Sequence, residues 1–232
     1  MTIISYLKSG FMLLLWASTV MGISCGGSLP PSISPILDSN QVVASTKIGN
    51  PFPRASRVVF NWSIREPNLR VGGEGVARLE PPDRARLDLF LDNGETLLAV
   101  ALVDNDLRAP RETPMQVIPA PPLLWASMGV FKPGDSLELL GAGKKGEITT
   151  LGYKIDDDNE LWYQIIGDKI VGVELFRGGS VLHRVSLDHE IGWELPSEAV
   201  YRNLGSFREV KITVKNVEYM DPYPSNIWSP HK

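Results

Sequence analysis

Few stretches of this 232-residue chain have residue types at spacings that could do chemistry. "GAGKKG" (141–146) matches GxGxxG. A dinucleotide site needs that motif after a strand and before a helix, whose N-terminus holds the pyrophosphate. The next residues, "EITTLGYKI", are β-branched at a period of two, so the motif reads as a hairpin. "DDDNE" (156–160) is acidic like a Ca²⁺ loop, but an EF-hand needs Gly at its sixth place and Glu at its twelfth. Those places hold Leu161 and Gly167, and the cluster reads as a solvated turn. His183, His189 and His231 lack the i, i+4 spacing of a helical metal pair, and no cysteine stands near them to complete a zinc site. No GxSxG elbow occurs, and no local context favours one serine as a nucleophile. The expectation is a non-enzymatic protein with no catalytic residue, no metal and no cofactor.

The single cysteine, Cys25, closes a different kind of segment. "MTIISYLKSG" carries one positive charge, Lys8, and leads into "FMLLLWASTVMGI" (11–23). A charged start, an apolar run of about 7–15 residues and a small-residue end describe a secretory signal peptide. A membrane span would need about 20 apolar residues. "GISCGG" around Cys25 resembles the lipobox of bacterial lipoproteins, with Ser24 as the small residue before the acylated cysteine. The resemblance implies cleavage before Cys25 and anchoring by its acyl chains, each buried methylene adding about 0.8 kcal/mol of membrane affinity. The bland alternative is a secreted protein cut near Ser24 with a free thiol.

Residues 1–24 are thus expected to be a leader, leaving 208 residues (232 less 24). Lys8 is lost with it, so 22 basic side chains face 27 acidic ones, a formal charge of −5. That balance argues against a nucleic-acid partner, which needs a clustered basic surface. Residues 25–56 are rich in Ser, Pro and Gly with no sustained period, and are expected to be the lipidated N-terminus and a flexible tether. Residues 57–232 are then one domain, long enough for a sizeable core.

From Arg57 the apolar period becomes two. "RVVFNWSIR" puts Val58, Phe60, Trp62 and Ile64 on one face. "RARLDLFLD" alternates Leu87, Leu89 and Leu91 against Asp88 and Phe90, and Asn93-Gly94 signals a type I′ hairpin. Further short apolar runs come after it, separated by two- to four-residue turns. One helix is expected at 120–131, "APPLLWASMGVF", with prolines in its first turn and Leu123, Leu124, Ser127, Met128 and Phe131 on adjoining stripes. A second helical turn is expected at "PSEAVYRN" (196–203). The fold class is mainly β: a curved antiparallel half-barrel of about ten strands, with one or two short helices covering its concave face.

A terminal cysteine, a tether, "VVFNWSIREPNLRVGGEGVARLEPPDRARLDLFLDNGETLLAVAL", a prolyl helix and a late meander together resemble the outer-membrane lipoproteins with the LolA/LolB-like fold. The resemblance spans residues 57–222. It implies an outer-membrane lipoprotein facing the periplasm whose half-barrel holds a lipid, a lipoprotein acyl chain or another apolar ligand. Cavity candidates are Phe60, Trp62, Leu87, Leu89, Leu124, Trp125, Met128 and Trp162, with Cys25 as the lipid attachment site. Aromatic residues serve a packed core equally well, so the alternative is a filled barrel acting as a scaffold for an envelope protein partner.

Overall fold

The computed structural model describes residues 42–44, 46, 48–113, 115, 118–134 and 137–230; Cys25 and residues 1–24, expected to be a leader, lie outside them. Among the described residues twelve strands form one antiparallel sheet. The strands are β1 (Ser56–Glu66), β2 (Leu69–Glu80), β3 (Arg84–Leu91), β4 (Thr96–Val103), β5 (Asp106–Arg108) and β6 (Glu138–Lys145). They continue with β7 (Ile148–Lys154), β8 (Asn159–Ile166), β9 (Lys169–Arg177), β10 (Ser180–Asp188), β11 (Glu198–Asn203) and β12 (Arg208–Tyr219). Their order is β5-β4-β3-β2-β1-β12-β11-β10-β9-β8-β7-β6. Each neighbour is also a sequence neighbour except β1 with β12, which joins the two ends of the meander. β5 and β6 do not pair, so the sheet curves without closing. No helix among the described residues is long and apolar enough to cross a membrane.

The link from β5 to β6 carries the helix α1 (Pro121–Ser127). Pro121 and Pro122 start it, where no intrahelical N–H is needed. It ends four residues earlier than the periodicity predicts. Gly129 takes φ +78°, the Gly129 amide donates to Ala126 and the Val130 amide to Trp125, a left-handed closure of the last turn. Leu123, Trp125 and Ala126 are fully buried, so α1 is wedged into the concave face rather than resting on it. Leu123 and Ala126 pack among Leu151, Tyr163, Ile170, Val173 and Val185. Trp125 and Met128 pack among Phe52, Phe60, Trp62, Leu79 and Leu102. The helix therefore divides the interior between two apolar clusters.

The curved antiparallel half-barrel is as expected, with twelve strands among the described residues against the expected ten or so. Several expectations need correction. Residues 196–203 form no helical turn: Ala199 and Tyr201 alternate onto the concave face as β11, paired with β10 and β12. "GAGKKG" is a hairpin, but most of it lies within β6 and only Gly146, at φ +62°, turns. The Asn93-Gly94 turn is not type I′, because only Gly94 has positive φ (+83°). Its amide donates to Leu91, and Asn93 Oδ1 accepts from the Glu95 amide. Finally, some residues before Arg57 pack on the domain. Phe52 is fully buried, the Gly49 amide donates to Asp168, and Val42, Val43 and Ile48 pack on the core. Val42, Val43, Ile48, Gly49 and Phe52, within the stretch expected to be tether, thus contact the sheet domain.

Candidate functional site

Side chains of a strand alternate between faces, so the concave wall collects every second residue. From β1 come Val58, Phe60 and Trp62, from β2 Ala77 and Leu79, from β3 Ala85, Leu87 and Leu89, and from β12 Ile212 and Val214. β2 sets a glycine opposite each aromatic residue of β1. Phe60 pairs with Gly75 and Trp62 with Gly73. A Cβ on Gly75 would sit 2.3 Å from Phe60 Cε2. Across Gly73, Trp62 Nε1 donates to the carbonyls of Glu74 (2.9 Å) and Phe90 (3.2 Å). Gly75 is therefore the floor for the Phe60 ring, while Gly73 leaves room for the Phe90 backbone.

Seven of the eight cavity candidates come together. Phe60, Trp62, Leu89, Trp125 and Met128 are buried in one cluster, and Leu87 and Leu124 pack half-buried at its margin. Trp162 does not join them. Leu161 and Tyr163 face the concave core, so Trp162 between them points to the convex face, lying over Gly152 with its Nε1 on Glu160 Oε2 at 2.8 Å. Cys25 lies outside the described residues.

Within the cluster is an apolar slit of about 40 Å³ between α1 and the sheet, lined by Phe60, Leu87, Met128, Leu195, Ile212 and Val214 among others. Ligand pockets commonly measure about 300–1,000 Å³. In this conformation the interior is thus almost filled by its own side chains. The one hydroxyl on the slit, Ser127 Oγ, already donates to the Leu123 carbonyl at 2.8 Å. Nothing in the slit calls for a polar ligand. Alternation in "KITVKNV" carried a signal for Ile212 and Val214; Leu195 and Pro196 sit in a loop without period and carried none.

The other half of the interior holds an aromatic group. Phe131 meets Tyr163 edge-on at 4.8 Å and Tyr153 at 6.0 Å. Burial, and then the neighbouring Tyr153, drive the Tyr163 hydroxyl well above the usual phenol range, and burial raises Tyr153 too. Both stay neutral donors at physiological pH. His183 stacks on Tyr201 and its Nδ1 lies 2.9 Å from the Tyr201 hydroxyl. Burial, and then Arg177, hold His183 below the ordinary imidazole value. His189 Nε2 meets the Ile170 carbonyl at 2.7 Å. Neither histidine thus touches a serine or a carboxylate in a nucleophile–base pair. Among the described residues no three His, Cys, Asp or Glu side chains form a metal-binding group.

Ionic contacts lie outside the slit. On the convex face the buried Asp88 is bound by Arg86 (2.9–3.0 Å) and Arg78, and the C-terminal turn Ser225–Trp228 covers them. Arg86 also donates to the Ile227 carbonyl, which ties that turn to β3. Lys132 bridges Asp83 at 2.8 Å and Asp104 at 3.3 Å. Burial works against its charge, but these two carboxylates outweigh burial and raise its pKa. The pairs brace the turns at the ends of β2 and β4, next to α1.

No protein-family model matches the chain, and no curated protein matches its sequence. Solved structures do match. A LolA superfamily protein from Nitrosomonas europaea aligns with a TM-score of 0.56 at 12% identity, over 84% of this chain and 98% of that one. A putative outer membrane lipoprotein-sorting protein domain from Vibrio parahaemolyticus aligns with a TM-score of 0.50 at 9% identity, over 81% of this chain and 94% of that one. With an open, curved antiparallel sheet wrapped around a short helix, this chain has a LolA-like fold.

Proposed function

We propose that the protein is a non-enzymatic envelope lipoprotein, anchored by acyl chains on Cys25 to the outer membrane on its periplasmic side. Its half-barrel takes up an acyl chain, from a lipid or a lipoprotein, against Phe60, Leu87, Leu124 and Met128. The observation that carries the reading is the slit: an unfilled apolar space on the concave face, walled by flexible Met and Leu side chains. Each Å² of apolar surface that a chain removes from water there contributes about 25 cal/mol, with no charged partner required. The slit must widen first, and Met128, just beyond the last helical residue, is an unbranched side chain suited to repacking. The small volume of the slit favours a second reading, a filled barrel acting as a scaffold for an envelope protein partner. A fluorescent fatty acid separates the two. Saturable uptake by the folded protein, blocked by a long-chain lipid, supports the carrier. No uptake at any concentration leaves the scaffold.

A further inference from the structure

We infer that an amphiphile reaches the slit through a lateral gap in the sheet beside β12, and that the gap is itself a site for a zwitterionic head group. This rests on the acyl-chain reading above. β12 pairs with β1 along its whole length, from Arg65↔Glu209 to Ser56↔Tyr219. On its other edge β11 covers it only as far as Glu198↔Thr213. After the Ser197 carbonyl accepts the Val214 amide, residues 215–219 have no strand on that side. The chain from β10 returns past this edge as a loop, His189–Ser197, in which Gly192 has φ +86° and Ile191 is fully exposed.

Between loop and strand lies a cleft of about 340 Å³, lined by Trp193, Glu194, Leu195, Lys215, Asn216 and Tyr219 among others. Leu195 is the partition. It is 5% exposed, and it lines both this outer cleft and the apolar slit behind it. Val217, on the same cleft, packs against the slit's cluster as well. A swing of Leu195 therefore joins a polar vestibule to an apolar channel.

The vestibule carries one ammonium and one carboxylate. Lys215 Nζ is held by Glu74 at 2.7 Å at an exposed contact, and Glu194 accepts the Tyr219 hydroxyl at 2.8 Å. Each keeps bonding capacity beyond that contact: an ammonium has three donors, and a carboxylate accepts about four bonds. Aromatic faces of Trp193 and Tyr219 stand beside them, and Arg54 already lies 4.0 Å over the Tyr219 ring. A phosphate beside Lys215 and a quaternary or primary ammonium beside Glu194 and Trp193 match that lining. The occupant is thus a single-chain zwitterionic amphiphile, head in the cleft and chain in the slit.

The test uses the full-length protein and dodecyl lysophosphatidylcholine below its micelle-forming concentration. Stopped-flow fluorescence gives uptake rates and calorimetry gives Kd. Leu195→Ala should raise the uptake rate, and Leu195→Trp should lower it about tenfold or more. Lys215→Met should weaken lysophosphatidylcholine about tenfold and leave dodecanol unchanged. Leu195→Ala cannot overpack, so it keeps the test alive if the tryptophan variant fails to fold. Binding by wild type that is insensitive to both positions overturns the gap and leaves the acyl-chain reading standing. No binding of lysophosphatidylcholine, dodecanol or fatty acid by wild type or by Met128→Ala, which enlarges the slit from the helix side, overturns both.

Discussion

Gly75→Ala adds one methyl group at the place where the Phe60 ring lies. The new Cβ would stand 2.3 Å from Phe60 Cε2, 2.4 Å from Cζ and 3.1 Å from Leu89 Cδ2. Phe60 is 2% exposed and Leu89 9%, so neither can swing into water. The ring has one place to go: the slit of about 40 Å³ that it already borders. Overpacking of this kind costs about 1–3 kcal/mol. For a domain of this size that lowers Tm by about 2–12 °C. Phe60→Leu removes the ring from the glycine and loses packing of its own. The double variant should recover part of the loss, with a coupling of about 0.5–3 kcal/mol for residues in contact. Thermal and urea denaturation of the four proteins gives the cycle. If Gly75→Ala is silent, or its cost simply adds to that of Phe60→Leu, the ring does not lie on Gly75 and the glycine floor is wrong. A displaced ring also fills the slit, so under the acyl-chain reading Gly75→Ala should lose fatty-acid uptake while still folded.

The helix supplies a contrast within one turn: Leu123→Ala, at a fully buried site, should cost about 2–5 kcal/mol, and Leu124→Ala, half-buried at the margin of the slit, clearly less, by urea denaturation. Trp125→Phe keeps an aromatic ring, though a smaller one, and removes the 2.7 Å bond from Nε1 to the Asp104 carbonyl; it should lower stability by at least about 1–3 kcal/mol in the same assay. His183 is held below its ordinary pKa by burial and Arg177, so the unfolded chain takes up a proton first as pH falls below about 6.5. The stability linked to its neutral ring is whole above that pH and is lost as pH falls toward the folded value; His183→Gln should flatten that part of the profile between about pH 7.5 and 5. Cys25→Ser should abolish labelling by an alkynyl fatty acid, and a labelled serine variant would place the anchor elsewhere.

The strand half of the architecture was legible because alternation is a local property: Val58, Phe60 and Trp62, or Leu87 and Leu89, show their buried face within a few residues. The helix was legible for the same reason, from two prolines and a 3.6-residue stripe, though Gly129 ended it sooner than the stripe alone implied. Three things were not local. Residues 196–203 hold a polar, helix-compatible pattern, and only pairing with both β10 and β12 makes them a strand. Trp162 and Trp62 look alike in sequence, yet strand register sends one ring to the convex face over Gly152 and the other into the core beside Phe60. Phe52 sits in a Pro-, Ser- and Gly-rich stretch that reads as tether, and burial in a core built by residues as distant as Val214 and Val217 holds it in place. How much room remains under α1 depends on Met128, Leu195 and Phe60 packing side by side, and such distant contacts exist only once the sheet has curled.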